Sequence, residues 1–371
     1  MNMRLGRIGS KEGASSAAIA MTVSGIFTFE TKLLYKNGNS TYITLPLSVL
    51  LSLIIFLLII RLMNRSCSIS LGELLKKGLG GVFSPIVSAL LTLLIFYAAY
   101  APLSQFIRAM HGLFFDGVSY SRITVFTVPA ALVCALLGFE TIGRTARLVA
   151  PALFLVLLVS ISASVSEFET YRLHPFPGNT AFQIAVQTLE EIGTFLPALL
   201  CLLINADGLN GTKTAKRAGV SAAFVSALVC LIAQLALALC YTYKELGELF
   251  MPMFRINYLN KFEAHFMRMD KLAHMIWLGG GMIAGAFYIH AGARLFSQSF
   301  DMRDIRPAIV GGIALVSLMI MIEVESKMSE AFASVKEFLN GYGFVLLCIP
   351  SIISGILAMT RAWRKECLEQ R

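Results

Sequence analysis

Two stretches of this chain interrupt apolar sequence with residues able to open a helix and bind charge. They are Thr22-Val23-Ser24-Gly25-Ile26-Phe27-Thr28 and Glu190-Glu191-Ile192-Gly193-Thr194-Phe195. Glycine lowers the cost of leaving helical geometry, and neighbouring hydroxyls satisfy the backbone groups that a break frees. An opened helix offers N–H groups on one side, which attract a carboxylate, and carbonyls on the other, which receive an ammonium group or a cation. A zwitterionic amino acid needs both. The competing reading of Ser24-Gly25 is a small-residue contact between packed helices. Glu190 and Glu191 adjoin the second break and are either intramembrane acids with a function or headgroup residues at the start of a helix.

Further candidates surround these two breaks. Ser88, Thr92, Phe96, Tyr97, Tyr100 and Ser104 recur at spacings of three and four, which sets many of them on one helix face as a cavity lining or as helix–helix hydrogen bonds. Gly279-Gly280-Gly281 and Gly285 imply close helix approach or a hinge, Trp277 fits an interfacial anchor, and Tyr288 and His290 lie deeper. Glu30 is placed at the outer end of the first helix beside Lys32, whereas Glu140 and Arg144 read as a structural i,i+4 pair. The ligand-binding set is Thr22, Ser24, Gly25, Ile26, Thr92, Tyr97, Tyr100, Glu191, Gly193, Thr194 and Tyr288. No nucleophile elbow, phosphate loop or metal-spaced cluster occurs, and the 7 cysteines form no CxxC pair. An enzyme is not expected, nor any cofactor beyond a coupled Na+ or H+, a choice left open.

The elements that must position these residues follow from composition. The 371 residues are 57% hydrophobic and 14% charged, with a mean hydropathy of +0.73. Soluble domains carry about a quarter charged residues, so this excess of apolar surface belongs in a bilayer. The net charge of +9 is spread in short groups between apolar runs; it is not gathered on one basic face, which argues against a nucleic-acid partner. The fold class is an all-α polytopic membrane protein of about ten transmembrane helices, read as 12–35, 40–63, 81–109, 121–139, 144–165, 181–206, 217–243, 267–297, 306–323 and 338–360. Segments 68–80 and 245–262 are too amphipathic to span and fit interfacial helices. The basic stretch before the first apolar run resembles a secretory signal, but its Ser24-Gly25 interruption favours a retained helix.

With the N-terminus inside, the inner set holds Arg4, Arg7, Lys11, Arg61, Arg65, Lys76, Lys77, Arg144, Arg147, Lys213, Lys216, Arg217, Arg294, Arg303, Arg306, Arg361, Arg364, Lys365 and Arg371. That excess marks the cytoplasmic side and places both termini there. The interruptions at Gly25 and Gly193 then fall at matching positions in two five-helix halves, about 12–165 and 181–360, within one transmembrane domain. Paired broken helices of this kind point to a transporter-like binding site between broken helices 1 and 6.

Several motifs resemble the spore germination GerAB-type permeases of the amino acid–polyamine–organocation superfamily, over nearly the whole chain. They are Ser24-Gly25, Gly38-Asn39, the stretch holding Leu57, Ile60, Arg61, Leu62 and Met63, and the following Ser70-Leu71-Gly72-Glu73-Leu74. Gly138-Phe139-Glu140 with Gly143, Arg144 and Arg147, and Phe262-Glu263 with Arg268-Met269-Asp270 before Ile276-Trp277, continue the pattern. The chain departs from it at Phe27-Thr28-Phe29-Glu30, where members often carry proline, and in the spacing of the FxxR-type segment. The resemblance implies a LeuT-like fold of two inverted five-helix repeats. It also implies an amino-acid-sensing subunit of a nutrient germinant receptor in the spore inner membrane, beside A-type and lipoprotein C-type subunits and membrane lipid. The alternatives are an autonomous ion-coupled amino-acid transporter and a structural subunit with a vestigial cavity.

Overall fold

The computed structural model describes residues 8–26, 40–115, 117–174, 176–249, 252–256, 269–325 and 329–369. Ten helices of 17 residues or more occupy them: α1 Ser10–Ile26, α2 Thr41–Arg65, α3 Leu71–Leu113, α4 Tyr120–Leu136, α5 Phe139–Ala163, α6 Ala181–Ile204, α7 Thr212–Cys240, α8 Met269–Ser299, α9 Arg306–Glu325 and α10 Ser329–Glu369. Eight of them, all but α1 and α4, are long and apolar enough to cross a membrane. The other two have 17 described residues each, about 25 Å at 1.5 Å per residue, and residues 27–39, which follow α1, lie outside the described ones.

The ends of these helices are written locally. Thr180 and Gln183 form a reciprocal capping box at the start of α6, which satisfies two orphan N–H groups. Ser70 caps α3 by accepting from the Glu73 N–H at 3.3 Å. The expected interfacial helix is the first part of α3, 71–79, set off by Gly80, whose φ of 80° only glycine adopts freely. Lys77 Nζ donates to the carbonyls of Ser66 and Cys67 at the end of α2 (3.4 and 2.7 Å), and Lys76 pairs with Asp301 at 2.5 Å. In place of an interfacial helix over 245–262 there are two short helices, Tyr243–Glu248 and Pro252–Arg255; residues 257–268 lie outside the described ones.

Burial sorts the bundle into an inner and an outer ring. From Ser16 to Ile26 every residue of α1 is buried, and so is every residue of α6 from Phe195 to Ile204. A helix apolar on all sides belongs in the centre. α1 packs on α7, α8, α5 and α6, while α3 packs along α8 and α10. The outer helices carry exposed Phe126, Leu148, Phe224 and Ile86 on their outward faces, surface that suits lipid and not water.

Of the two expected helix breaks, the second is corrected here, and the first is helical as far as the described residues run. α1 is continuous through Ser24-Gly25 to Ile26, with Phe27 and Thr28 outside the described residues, as is Glu30. α6 is continuous through Gly193, so helix 6 is not broken. The bare face of Gly193 lies against the α10 backbone, where an added Cβ would stand 3.5 Å from the Phe344 nitrogen. The glycine serves close packing there, with no opening of the helix. Trp277 also differs from the expected interfacial anchor, being 5% exposed within the core. Gly280 allows that packing, because its Cβ position is filled by Leu153 and lies near Val23 and Ile19.

Candidate functional site

Pro197 sits in α6 four residues after Gly193. Proline has no N–H, so the Gly193 carbonyl loses its intrahelical donor without the helix breaking. Gly193 and Thr194 are half-exposed, whereas the ten residues after them are buried. The freed carbonyl expected from a break therefore exists, supplied by a proline.

Gly25 is pressed against this segment. A Cβ on Gly25 would come within 2.6 Å of the Phe195 ring and 3.1 Å of Cys230 Sγ on α7. The two glycine-bearing segments are thus in contact, and the small-residue reading of Gly25 holds as far as its own surroundings go. One residue earlier, Ser24 Oγ and the fully buried Tyr288 hydroxyl are 3.4 Å apart, joining α1 to α8. Thr22, also fully buried, has no hydrogen-bond partner for its hydroxyl among the described residues. Such a group costs free energy unless something fills its valence. Ile26 closes the described part of α1 as a buried apolar residue.

Glu191 is 3% exposed and so is enclosed by protein. Its Oε1 accepts from Thr44 Oγ1 at 3.1 Å and its Oε2 from Ser48 Oγ at 3.2 Å. A turn earlier, Gln187 Oε1 accepts from Ser40 Oγ at 3.1 Å and from Asn179 Nδ2 at 3.3 Å. Ser40, Thr44, Ser48 and Ser52 recur every fourth residue and all are fully buried. This hydroxyl column was missed in reading the sequence, although its spacing of four within an apolar helix was the signal. Ser52 Oγ at its far end has no partner among the described residues.

The third-helix candidates separate. Tyr97, half-exposed, donates to Asn340 Oδ1 of α10 at 2.8 Å and stacks on Tyr100 with centroids 5.7 Å apart. The Tyr100 phenol is buried and faces Glu323 of α9, which is ion-paired with Arg108. Thr92 donates to the Gly292 carbonyl at 3.4 Å, a plain tie between α3 and α8. His290 Nδ1 meets the Ala135 carbonyl at 3.1 Å and its ring stacks on Phe139, the role of a packed hydrogen-bonder. Ser24, Gly25 and Tyr288 therefore come together with α6, as do Tyr97 and Gly193 with α10; Thr92 belongs to neither group, and Thr194 is half-exposed beside Gly193.

The spore germination protein family matches residues 10–329. The chain belongs to that family. No curated protein matches it. Among solved structures it is similar to a substrate-bound, outward-open Na+-coupled sialic acid symporter, with a TM-score of 0.67 and 11% identity over 96% of this chain and 88% of that one. It is also similar to a nucleobase-cation-symport-1 family transporter in a closed conformation with bromovinylhydantoin bound, with a TM-score of 0.61 and 12% identity over 98% and 96%. A manganese transporter of Eremococcus coleocola follows at a TM-score of 0.52 and 13% identity over 94% and 76%. At these identities the likeness is one of fold, the LeuT-type transporter fold. This spore germination permease is accordingly an integral membrane protein with a permease-like bundle.

Proposed function

We propose that this spore germination permease is the amino-acid-sensing subunit of a nutrient germinant receptor in the spore inner membrane, working with A-type and C-type receptor subunits. The observation that carries the reading is the half-exposed Gly193-Thr194 step of α6, whose Gly193 carbonyl has lost its donor to Pro197. A carbonyl without its helical N–H is a ready acceptor for an ammonium group. The amine of the ligand meets it there. The ligand carboxylate lies toward the hydroxyl groups of Ser24 and Tyr288, beside Gly25 and Ile26, with Thr22 offering a further hydroxyl, since the N–H groups of this continuous stretch of α1 are engaged within the helix. Tyr97, Tyr100 and Thr194 border the approach from α3 and α6.

The bundle is read as ten crossings in two inverted repeats, about 12–165 and 181–360, with both termini cytoplasmic. The ion pairs support this pairing of ends. Glu12–Arg147, Asp207–Arg294 and Asp301–Lys76 join residues that the charge pattern assigns to the inner side, and Arg108–Glu323 and Arg172–Glu169 join outer ones. Binding must favour one arrangement of the helices over another to produce a signal, which then passes to the partner subunits.

The second reading, an autonomous ion-coupled amino-acid transporter, is favoured by the structural likeness to symporters. Purified chain reconstituted alone in liposomes separates the two. Saturable binding of a labelled amino acid without uptake is the outcome expected of a sensor. Concentrative uptake selects the transporter, and no binding of any amino acid overturns both.

A further inference from the structure

The hydroxyl column of α2 and the carboxylate of α6 form a unit with more to do than hold two helices together. Ser48 Oγ lies 2.7 Å from the Thr44 carbonyl, 2.9 Å from the Thr188 carbonyl and 3.2 Å from Glu191 Oε2. One hydroxyl proton thus faces three acceptors, and Ser48 donates to one of them at a time or shares between two. Thr44 Oγ1 already directs its proton to Glu191 Oε1, with the Thr41 carbonyl as its alternative at 3.4 Å.

Two complete hydrogen-bond patterns fit these distances. In one, Glu191 is ionised and accepts from both Thr44 and Ser48. In the other, Glu191 carries a proton on Oε2 and donates it to Ser48 Oγ, while the Ser48 proton turns to the Thr188 carbonyl and Thr44 still donates to Oε1. No heavy atom need move between them. The change is one proton gained from water, one O–H bond formed on the carboxylate and one hydroxyl rotated.

We infer that Glu191, Ser48, Thr44 and the Thr188 carbonyl form a proton switch between α2 and α6, set apart from the Ser24–Tyr288 contact. A charged carboxylate inside a membrane is costly and is retained where it has a function. The column also has an open end: Asn179, half-exposed, donates to Ser40 Oγ at 3.1 Å and leads through Gln187 to the turn that carries Glu191. Cys230 of α7 faces Glu191 and lies against Gly25, so the charge on Glu191 is felt at the α1 crossing. The neighbouring acid on its own helix is the half-exposed Glu190. The titratable residues Glu30, Lys32, Tyr35 and Lys36 precede Ser40 in sequence and lie outside the described residues. The inference deepens the proposed function by assigning H+ as the ion, and it rests on the permease reading of the bundle, not on the identity of the amino acid.

Infrared difference spectroscopy of the full-length protein in detergent, titrated with acid and without any amino acid, tests the switch. A carboxylic-acid C=O band that rises as pH falls, vanishes in Glu191→Gln and moves to higher frequency in Thr44→Val is the expected result. The frequency shift follows because Thr44 donates to the carbonyl oxygen. A band present at every pH overturns the switch, since the proton would then be held permanently. So does the absence of any band lost in Glu191→Gln, or a carboxylate signal that answers to Na+ against K+ at fixed pH. Because no amino acid is added, failure here leaves the sensing proposal standing, and failure of amino-acid binding leaves the switch standing.

Discussion

At Gly25 the ring of Phe195 occupies the place of a side chain, so steric demand and ligand chemistry meet at one atom. Overpacking a filled interior costs about 1–3 kcal/mol. Gly25→Leu is therefore expected to lower thermal stability in detergent and abolish the germinant response, while the milder Gly25→Ala paired with Phe195→Leu recovers stability. Binding measured on the stable double variant tells whether Gly25 matters beyond its size: unchanged affinity would remove it from the ligand contacts. Tyr97→Phe deletes one hydrogen bond, to Asn340, worth about 0.5–1.5 kcal/mol. The expected outcome is a modestly lower melting temperature with α3 and α10 still packed, read by thermal unfolding. Sequence reasoning reached Ser24, Glu191 and Tyr288 because polar groups stand out in apolar runs. It did not reach Asn340 or Phe195, whose roles depend on which helix lies opposite.

Among the elements, α6 carries the sharpest expectation. Pro197→Ala returns an N–H to the Gly193 carbonyl and so removes the acceptor assigned to the ligand amine. A hydrogen bond to a charged group contributes about 1.5–3 kcal/mol, so affinity should fall about tenfold or more with the helix intact. A binding titration with undiminished affinity would reassign the amine site. The amphipathic start of α3 offers a second test. Gly78 meets the Ser354 backbone at 2.1 Å from its would-be Cβ, and Gly78→Val is expected to lift 71–79 off α10, visible as faster amide exchange there. Glu73 in this segment is partly buried, which works to raise its pKa, but hydrogen bonds from Lys77 and the Ile69 N–H together with the Lys77 charge hold it below the ordinary glutamate value. A depressed carboxylate stabilises the fold above the unfolded pKa, about 4.3, and the contribution is lost as pH falls through the folded value. Protection of the 69–79 amides, measured relative to their intrinsic exchange rate at each pH, should accordingly fall on acidification below about pH 4, and less so in Glu73→Gln.

For the whole molecule, orientation is the expectation that composition makes and geometry supports. Cys67 is the exposed cysteine of the described set and follows the end of α2 that the proposed topology assigns to the cytoplasmic side. After Cys367→Ser, a membrane-impermeant maleimide is expected to label Cys67 in inside-out vesicles and not in right-side-out ones. The reverse pattern would invert the topology. Charge separation also explains why the ion pairs that tie helices together gather at the two ends of the bundle: there at least one partner of each pair stays partly solvated, whereas a fully buried pair carries a desolvation cost of several kcal/mol per ion.

What the sequence determined by itself was the class of solvent, the positions of the long helices and the residues that do not belong in hydrocarbon. These follow from local properties, namely apolar length, the spacing of charge and capping residues such as Thr180 with Gln183. It also placed Gly25 and Gly193 at matching points, but read them as breaks, because a glycine among hydroxyls looks alike whether the helix opens or a neighbour presses in. Only the tertiary structure decided that Phe195 fills the space at Gly25, that the α10 backbone backs Gly193, and that Thr44 and Ser48 of α2 reach Glu191. Those are properties of pairs of helices distant in sequence, and no single strand of residues carries them.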